Sequence, residues 1–408
     1  MSGADRPILI AGAGIGGLAA ALALAEIGIS VEILEKRRDV VETGAGIQIG
    51  PNGTRLLIKL GVADRLAASI AVPDAIIARS GITGRTIAEL PLGQWIAERH
   101  GAPYWTTHRQ DLHRALLTAV AASPRIVVTR GFELASLRES ADTIAAIAID
   151  GRTVNGRGLL GADGVWSKVR DHIAPGATPR DVGKSAARTV LAMEHVPAGL
   201  GGNVTGLWLS PASHLVHYPI RQGRDMALVL IVEDAAHDQA GDRYWDRDVP
   251  PGWIEARTTS LTPLARELLA ECRDWQRWSL VSGAHLPSWS HRRATLLGDA
   301  AHPILPFLAQ GAAMALEDAA VLADCLGRAR LDVPRAFDKY QRERIARTRR
   351  VADAARRNGQ IYHLSGIPAA ARDFAMGRAG GARLMASYDW LYGWQPPVTG
   401  SRGSPTST

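Results

Sequence analysis

The sequence predicts an α/β protein with a mainly parallel sheet, a second, antiparallel sheet, and helices at the C-terminal end. Three observations predict this fold. A strand near the N-terminus runs into a glycine-rich turn and a helix, two later strands end on Asp-Gly or Gly-Asp, and short apolar segments separated by Gly, Pro or Asp fill the middle of the chain. At 408 residues the chain is long enough for about two or three domains.

The first segment, ILIAGAGIGGLAAALALAEIGI from Ile8 to Ile29, predicts a buried strand, a tight turn and an Ala/Leu helix. Its glycines form the pattern G-x-G-x-x-G with Gly12, Gly14 and Gly17. One glycine permits the turn, the next lets the backbone approach a pyrophosphate, and the third lets the helix pack on the strand. The N–H groups and dipole at the helix N-terminus favour the negative phosphates, so the pattern predicts a dinucleotide site.

The second strand, VEILEK, strengthens this interpretation. It ends at Glu35, about 18 residues after Gly17, where a carboxylate is expected to hydrogen-bond a ribose. A glycine-rich turn in an ordinary α/β protein would leave Glu35 unexplained. The sequence therefore predicts a Rossmann-like nucleotide-binding domain.

Composition excludes several other classes. The stretch Ile8–Ile29 is apolar enough to resemble a signal peptide or membrane span, but its four early glycines would weaken a lipid-facing helix and a charged strand follows it. Two cysteines, Cys272 and Cys325, form neither a disulfide framework nor a zinc site. We therefore expect a cytoplasmic protein without a metal ion or a membrane segment.

The net charge of +7 suggests affinity for anions, and the arginine-rich run KYQRERIARTRR (Lys339–Arg350) could contact nucleic acid. The run also contains Glu343 and has the pattern of a helix, so we expect a solvated helix face or a subunit contact instead. No nucleic-acid partner is predicted, and a monomer or a homodimer is expected.

Two later motifs distinguish an FAD-binding protein from an NAD-binding one. GLLGADGVWSKVR ends a strand and turns through Asp163, and LLGDAAHP ends another strand at Asp299. With the glycine fingerprint, in this order and spacing, these motifs resemble the single-component (group A) FAD-dependent aromatic hydroxylases, and the chain is most similar to the salicylate hydroxylase-like branch. The resemblance covers about residues 6 to 394. It implies a p-hydroxybenzoate hydroxylase-like fold, with a Rossmann-like FAD-binding domain, an antiparallel-sheet substrate domain and C-terminal helices.

The resemblance also implies roles for particular residues. Glu35, with Lys36 beside it, would hold the adenosine ribose, Arg109 would reach the flavin side, and Asp299 would bind the ribityl chain. Asp163 and Arg170 belong to the segment associated with FAD and nicotinamide. His302 is expected to make a structural hydrogen bond. The remaining cofactor-binding residues are the three fingerprint glycines Gly12, Gly14 and Gly17, Pro306 in the loop near the reactive edge of the flavin, and Gly311 and Ala312 at a helix N-terminus.

The segment SHLVHYPIR supplies the candidate substrate residues. A period of two places His214, Val216 and Tyr218 on one face of a strand and His217 on the other. Four strand residues separate His214 from Tyr218 by roughly 13 Å, so the two side chains would flank an aromatic ring instead of bonding each other. The resemblance implies that NADH or NADPH reduces FAD and that O2 forms a flavin C4a-hydroperoxide. His214 is then a candidate general base and Tyr218 a second catalytic candidate, because a phenolate attacks that electrophile better than a phenol does.

Three kinds of small aromatic substrate remain open: salicylate-like acids, 3-hydroxybenzoate-like acids, and hydroxypyridine carboxylates such as 6-hydroxynicotinate. The 3-hydroxybenzoate enzymes carry glutamine after HPPL, where this chain has Pro306, which favours the other two kinds. Alternatives are a quinone-pathway hydroxylase, a reductase, a halogenase, whose tryptophan-rich motif is absent, and a nucleotide-binding regulator without turnover. The expected divisions are an FAD-binding domain of 1–75, 101–180 and 281–350, a substrate domain of 76–100 and 181–280, a helical segment of 351–396, and a disordered tail of 397–408.

Overall fold

The computed structural model describes residues 6–39, 46–234, 247–283, 286–330 and 332–397. The tail expected to be disordered lies, apart from its first residue, outside the described residues. The strands in chain order are β1 (Ile8–Ala11), β2 (Val31–Glu35), β3 (Gly46–Ile49), β4 (Ala75–Ser80), β5 (Thr86–Pro91), β6 (Trp105–His108), β7 (Ile126–Arg130), β8 (Leu134–Glu139), β9 (Ile144–Ala148), β10 (Thr153–Gly156), β11 (Gly158–Gly161), β12 (Arg180–Ala192), β13 (Val204–Ser210), β14 (Ser213–Ile220), β15 (Asp225–Glu233), β16 (Arg247–Asp248), β17 (Gln276–Ser282), β18 (Ser290–His291) and β19 (Ala294–Leu296).

Helices flank these strands and dominate the C-terminal third. They are, in chain order, α1 (Ile15–Glu26), α2 (Pro51–Lys59), α3 (Ala63–Leu66), α4 (Gly93–His100), α5 (Arg109–Ala121), α6 (Lys168–Ile173), α7 (Trp253–Arg257), α8 (Pro263–Ala270), α9 (Gly311–Arg328), α10 (Val333–Tyr362), α11 (Gly366–Ala379), α12 (Gly381–Ala386) and α13 (Asp389–Tyr392). The predicted strand–turn–helix after Ile8 and the helix beginning at Gly311 are both confirmed.

The first sheet has six strands in the order β18-β19-β11-β1-β2-β7. Its neighbours are parallel except for the β18–β19 hairpin. The central strands β1 and β11 are buried along their whole length, as expected for a parallel sheet covered on both faces. Helices α1, α5, α9 and α10 contribute to the same hydrophobic core as this sheet.

The second sheet has eight strands in the order β16-β17-β12-β15-β14-β13-β4-β5. The predicted antiparallel arrangement is confirmed for its neighbouring strands with one exception, since β13 and β4 pair in parallel. Helices α7 and α8 cover one face of this sheet with residues such as Trp253 and Leu268. The opposite face packs against Leu305, Phe307 and Tyr362. That opposite face therefore looks towards the loop before α9 and the end of α10.

The expected division of the chain into domains stays a prediction. The expected limit at residue 350 falls inside α10, which is continuous from Val333 to Tyr362. This helix begins with the side chain of Asp332 accepting a hydrogen bond from the backbone N–H of Arg335, followed by a proline in its first turn. One long helix thus extends from the core of the first sheet to the face of the second sheet that lies opposite α7 and α8.

Candidate functional site

Four segments of the chain converge at one edge of the six-stranded sheet, which we call the carboxyl edge. Because β1, β2, β11 and β19 are parallel, the residues that end or follow them lie on the same side. The carboxyl edge is formed by the glycine turn after β1, Glu35 at the end of β2, Asp163 after β11 and Asp299 after β19.

The glycine turn has the geometry that its pattern predicts. Gly12 has a φ of +102°, and a Cβ there would lie 2.5 Å from the carbonyl oxygen of Ala162. A Cβ on Gly17 would lie 2.1 Å from the carbonyl oxygen of Gly12, closer than any side chain tolerates. Gly14 precedes the first turn of α1 without a capping side chain. The backbone N–H groups at this helix start are therefore not covered by a side chain of the turn.

Glu35 is buried beside this turn. Its carboxylate accepts hydrogen bonds from the backbone N–H of Ala13 at 2.8 Å and of Arg37 at 2.8 Å. The carbonyl of Ala13 in turn contacts Nε2 of His113 on α5 at 2.7 Å. Glu35, the turn and the start of α5 are thus held as one unit, and Arg109 is the first residue of that helix. Lys36 follows β2 on the exposed surface.

Asp163 and Arg170 make mainly structural contacts. Oδ2 of Asp163 accepts from the backbone N–H groups of Lys168 at 2.7 Å and Val169 at 3.2 Å, so it stabilises the start of α6. Burial raises the pKa of the Asp163 carboxyl, against the effect of these hydrogen bonds. Oδ1 of Asp163 is buried and has no hydrogen bond to a described residue. Arg170 is buried and donates to the carbonyls of Val165, Ala177 and Ala300.

These contacts of Arg170 join the Asp163 segment to the turn that carries Asp299. The turn, Gly298–Ala300, begins with Gly298 at a φ of +60° and leaves the Asp299 side chain exposed at the carboxyl edge. A second turn, Pro306–Leu308, follows and ends at Ala309 with a φ of +52°. Gly311 and Ala312 then form the start of α9. Both α1 and α9 therefore begin near this edge, where a Cβ on Gly16 would lie 3.1 Å from Cβ of Ala315.

The candidate substrate residues lie on the face of the eight-stranded sheet opposite α7 and α8, which packs against Phe307 and Tyr362. Cross-strand register places His214 opposite Ile231, Val216 opposite Val229, and Tyr218 opposite Ala227, which confirms the predicted period of two. We call the surface formed by His214, Val216 and Tyr218 the His214 face. Both polar residues are buried, whereas Val216 between them is partly exposed. His214 and Tyr218 share no hydrogen bond in the described part of the chain, as predicted.

His217 lies on the opposite face, as predicted, against Trp208 and Gly206. Both of its ring nitrogens are buried without a hydrogen bond to a described residue. Burial, and to a lesser degree Arg79, lowers its pKa to about 4. His217 is therefore a neutral packing residue and points away from the site.

His214 also has a partner that the sequence did not predict. Its Nδ1 lies 2.8 Å from Nε2 of His363, at the C-terminal end of α10, and Nδ1 of His363 lies 2.8 Å from Oε1 of Glu233. The ring of Phe307, in the turn before α9, lies 5.4 Å from the ring of His214. The His214 face is thus joined to the loop that leads into α9. No local pattern could identify His363, because it is 149 residues away in the chain.

A second group that the sequence analysis missed lies between α9 and α10, and we call it the α9–α10 charge cluster. It consists of the fully buried Glu317, Asp318 and Arg344, with Arg347 and His302 at its borders. Arg344 bonds Glu317 at 2.8 Å and Asp318 at 2.7 Å, and Asp318 also accepts from His302 at 2.6 Å. The expected structural hydrogen bond of His302 is therefore present.

The cluster corrects the expectation of a solvated arginine face. Arg344 lies on the buried side of α10, in line with Tyr340, Thr348 and Val351, while Arg342 is exposed. That spacing of buried residues is visible in the sequence and could have indicated that one arginine faces inwards. Arg347 donates to Glu317 and to the carbonyls of Trp390 and Leu391, so the cluster also holds α13 in place.

Among the described helices, none combines the length and the hydrophobicity that a membrane span requires. The same part of the chain contains no group of three His, Cys, Asp or Glu residues arranged to hold a metal ion.

Comparison with known proteins gives a consistent result. Residues 5–355 match the family described as FAD binding domain. The chain is 38% identical over 388 residues to 3-hydroxybenzoate 6-hydroxylase 1 of Aquipseudomonas alcaligenes, covering 95% of this chain and 97% of the relative. It is 35% identical over 392 residues to 3-hydroxybenzoate 6-hydroxylase of Polaromonas naphthalenivorans (strain CJ2), covering 96% of each. A solved salicylate hydroxylase substrate complex superposes with a TM-score of 0.82 at 22% identity, covering 97% of each chain.

Proposed function

Because the chain belongs to the FAD binding domain family and is an FAD-dependent aromatic monooxygenase, we propose that it hydroxylates a small aromatic acid that carries a ring hydroxyl. NADH or NADPH and O2 are the co-substrates. The single observation that carries the proposal is the His214 face. There the partly exposed Val216 lies between the buried imidazole of His214 and the buried phenol of Tyr218, next to the loop that leads into α9.

The carboxyl edge fits an FAD molecule. Gly12 and Gly17 leave no room for side chains in the tight junction between β1 and α1, and the helix start at Gly14, where the backbone would approach a pyrophosphate, has no side-chain cap. We propose that Gly12, Gly14 and Gly17 contact the pyrophosphate, and that Glu35 and Lys36 contact the adenosine ribose. The glycines lie in the junction between β1 and the first turn of α1, and Glu35 and Lys36 lie at the end of β2.

The flavin half would extend towards the second turn of the edge. We propose that Asp299 binds the ribityl chain and that Arg109 and the Asp163 segment lie on the flavin side. Pro306, Gly311 and Ala312 would line the reactive ring, where the positive end of α9 favours negative charge. The exposed carboxylate of Asp299 and the nearby start of α9 support this assignment.

FAD, when bound, supplies hydride acceptance from NAD(P)H and the activation of O2. The chain's own residues must hold the substrate ring, exclude water and take up the proton of its hydroxyl. His214 is the candidate for the last task because it lies on the His214 face, and burial, followed by the neighbouring His363 and Lys184, keeps it unprotonated by lowering its pKa well below the ordinary value. The imidazole is therefore neutral and able to accept a proton at neutral pH. Tyr218, on the same face, would contact the opposite side of the ring.

The position of the ring hydroxyl is the open part of this proposal. Overall similarity to two 3-hydroxybenzoate 6-hydroxylases favours a 3-hydroxybenzoate-like acid. Pro306, at the position where those enzymes are expected to carry glutamine, favours a salicylate-like or hydroxypyridine acid. Because Pro306 would lie near the reacting ring and the two observations favour different acids, both groups of acids belong in the test.

The decisive experiment is a substrate panel on the purified, FAD-loaded protein. Salicylate, 3-hydroxybenzoate and 6-hydroxynicotinate are each tested for faster NADH and NADPH oxidation, with products and hydrogen peroxide quantified. We expect one acid to accelerate oxidation and to yield a hydroxylated product. Benzoate and nicotinate, which lack the ring hydroxyl, serve as matched controls. A protein that takes up no FAD, or whose coenzyme oxidation responds to none of the acids, would overturn the proposal.

The cofactor assignment has its own test. Asp299→Ala should release most of the FAD on gel filtration, because the ribityl chain loses its carboxylate partner. Asp64→Ala, which removes an exposed aspartate of α3, is the matched control and should retain FAD. A fully yellow Asp299→Ala protein would remove Asp299 from the cofactor site.

A further inference from the structure

His214 is the buried end of a chain of three side chains that leads to the protein surface. His214 is 1% exposed, and its Nδ1 lies 2.8 Å from Nε2 of His363. Nδ1 of His363 lies 2.8 Å from Oε1 of Glu233, whose side chain is 45% exposed. We call these residues the His–His–Glu chain. A buried imidazole is thus connected to a solvated carboxylate through one other imidazole.

Three elements contribute to the chain. His214 lies near the start of β14, Glu233 ends the neighbouring β15, and His363 follows the last turn of α10. The other groups that face it are the rings of Phe307 and Tyr362 against His214, and the ammonium group of Lys184 from β12. Lys184 forms an ion pair with Glu233, and its Nζ lies 3.4 Å from Nδ1 of His363.

The order of the groups determines which nitrogens carry protons. An ionised carboxylate only accepts hydrogen bonds, so Nδ1 of His363 must donate to Glu233. In a neutral His363 the other nitrogen, Nε2, is then an acceptor, and Nδ1 of His214 must donate to it. The proton of a neutral His214 is therefore on Nδ1, and its Nε2 carries the free lone pair of a base. Nε2 has no hydrogen bond to a described residue.

The charge states support this assignment. Burial alone would raise the pKa of Glu233, but hydrogen bonds from His363 and Lys184 lower it overall, so the carboxylate is ionised at neutral pH. Burial lowers the pKa of His363, partly offset by the hydrogen bond to Glu233. The imidazoles of His214 and His363 are accordingly both neutral before a proton is transferred.

We propose that Glu233 and His363 are positioning residues that hold His214 in the tautomer whose Nε2 accepts the hydroxyl proton of the substrate. This inference rests on the proposed function. In the step, the substrate O–H bond breaks, its electron pair stays on oxygen, and the proton forms an N–H bond with Nε2 of His214. The resulting imidazolium keeps its Nδ1–H bond to His363. The carboxylate of Glu233, at the other end of the His–His–Glu chain, offsets the new positive charge.

Lys184 makes the requirement for Glu233 specific. If the carboxylate is removed, the nearest polar group to Nδ1 of His363 is the Lys184 ammonium, which can only donate. His363 would then carry its proton on Nε2, His214 would accept at Nδ1, and the proton of His214 would move to Nε2. The loss of one carboxylate would therefore convert the base into a hydrogen-bond donor without moving the ring.

The first test reads the tautomers directly and needs no substrate. Protein labelled with ¹⁵N-histidine is examined by long-range ¹H–¹⁵N NMR, with signals assigned from single His214 and His363 variants. We expect both rings to carry the proton on Nδ1 in the parent protein, and on Nε2 in Glu233→Ala. Glu194→Ala is the matched control, because Glu194 also lies beside a histidine, His195, but on the exposed surface. Unchanged tautomers in Glu233→Ala would overturn the proposal.

The second test uses the acid that the substrate panel identifies. His363→Leu should lower the rate of product formation on the order of 10²-fold while KM and bound FAD change little. His363→Gln should recover most of that loss, because its amide oxygen can accept from Nδ1 of His214 and its amide nitrogen can donate to Glu233. Equal rates in the Leu and Gln variants would show that His363 acts by packing alone. If no acid of the panel is hydroxylated, the proposed function fails, and the NMR result still decides the tautomer assignment.

Discussion

Two histidines, His214 and His302, have contrasting surroundings. His302 donates to Asp318 at 2.6 Å, and the other oxygen of Asp318 accepts from the buried Arg344. His214 instead hydrogen-bonds a second imidazole, His363, which in turn bonds the half-exposed Glu233. Each imidazole thus uses one ring nitrogen in a hydrogen bond, and Nδ1 of His302 is buried without a bond to a described residue. The partner of His302 is a buried carboxylate, whereas the partner of His214 is an imidazole linked to the surface.

The difference shows how to separate a structural histidine from a reactive one. In the α9–α10 charge cluster, each buried charge has an opposite charge within hydrogen-bond distance, so removal of a member leaves an uncompensated buried charge. In the His–His–Glu chain, His214 is neutral and bonds a neutral imidazole, so its removal leaves no buried charge uncompensated. We therefore expect changes in the cluster to alter stability and changes in the chain to alter chemistry.

The largest expected effect is on chemistry. His214→Ala should retain FAD but lower coupled hydroxylation by about 10²- to 10⁴-fold, the usual contribution of a positioned general base. Bound FAD is measured by absorbance, and coupling by the ratio of product to NAD(P)H consumed. His217→Ala, on the opposite face of the same strand, is the control for loss of a buried imidazole. An unchanged product yield in His214→Ala would remove His214 from the mechanism.

The next effect is on stability. Arg344→Met should lower the free energy of unfolding by about 3–5 kcal/mol, because Asp318 and Glu317 lose a buried cationic partner. The midpoint of urea unfolding measures this change. Arg342→Met, on the exposed side of the same helix, removes an i,i+4 surface pair with Asp338 and should cost less than about 1 kcal/mol. Similar losses for the two variants would contradict the division of α10 into a buried and a solvated arginine face.

The pH dependence of unfolding gives a third, smaller effect. Burial alone would raise the pKa of Asp318, but His302 and Arg344 lower it from the ordinary 3.8 to about 2. A depressed pKa in the folded state contributes stability above the unfolded value, and this contribution is lost as pH falls from about 4 to about 2. We expect the loss to be on the order of 2 kcal/mol. Asp318→Asn should flatten the acid limb of the unfolding midpoint in that range, and an unchanged limb would refute the assignment.

The smallest effect concerns His302 itself. His302→Gln should lower the free energy of unfolding by only about 1 kcal/mol, because the amide can still donate to Asp318. Its product yield per NAD(P)H should stay close to that of the parent protein. A loss of coupling comparable to that of His214→Ala would make the contrast between the two histidines wrong.

Much of the nucleotide-binding half could be predicted because its residues are close together in sequence. Gly12, Gly14 and Gly17 lie at the junction of β1 and α1, and Glu35 ends the next strand. The glycine pattern records a steric requirement that is local: a Cβ on Gly17 would meet the carbonyl of Gly12 five residues earlier. Similarly, the alternation in SHLVHYPIR was sufficient to separate His214 and Tyr218 from His217.

The parts that could not be predicted depend on pairings across long stretches of chain. The parallel pairing of β13 with β4 joins residues more than a hundred positions apart, and no turn motif in the sequence indicates this pairing. The inward position of Arg344 depends on the acidic pair of α9, which has no regular spacing to α10. An arginine-rich run looks solvated until the buried carboxylates opposite it are known.

By itself, the sequence determined the strand–turn–helix at the N-terminus, the acids that follow three parallel strands, and the face of β14 that bears His214, because backbone sterics and strand periodicity act over a few residues. Only the tertiary structure decided which partner each buried polar group has. His363 and Glu233 are brought to His214 from the end of one helix and the edge of a neighbouring strand. A tautomer depends on the hydrogen-bond partners of the ring, and these partners come from segments far apart in the chain.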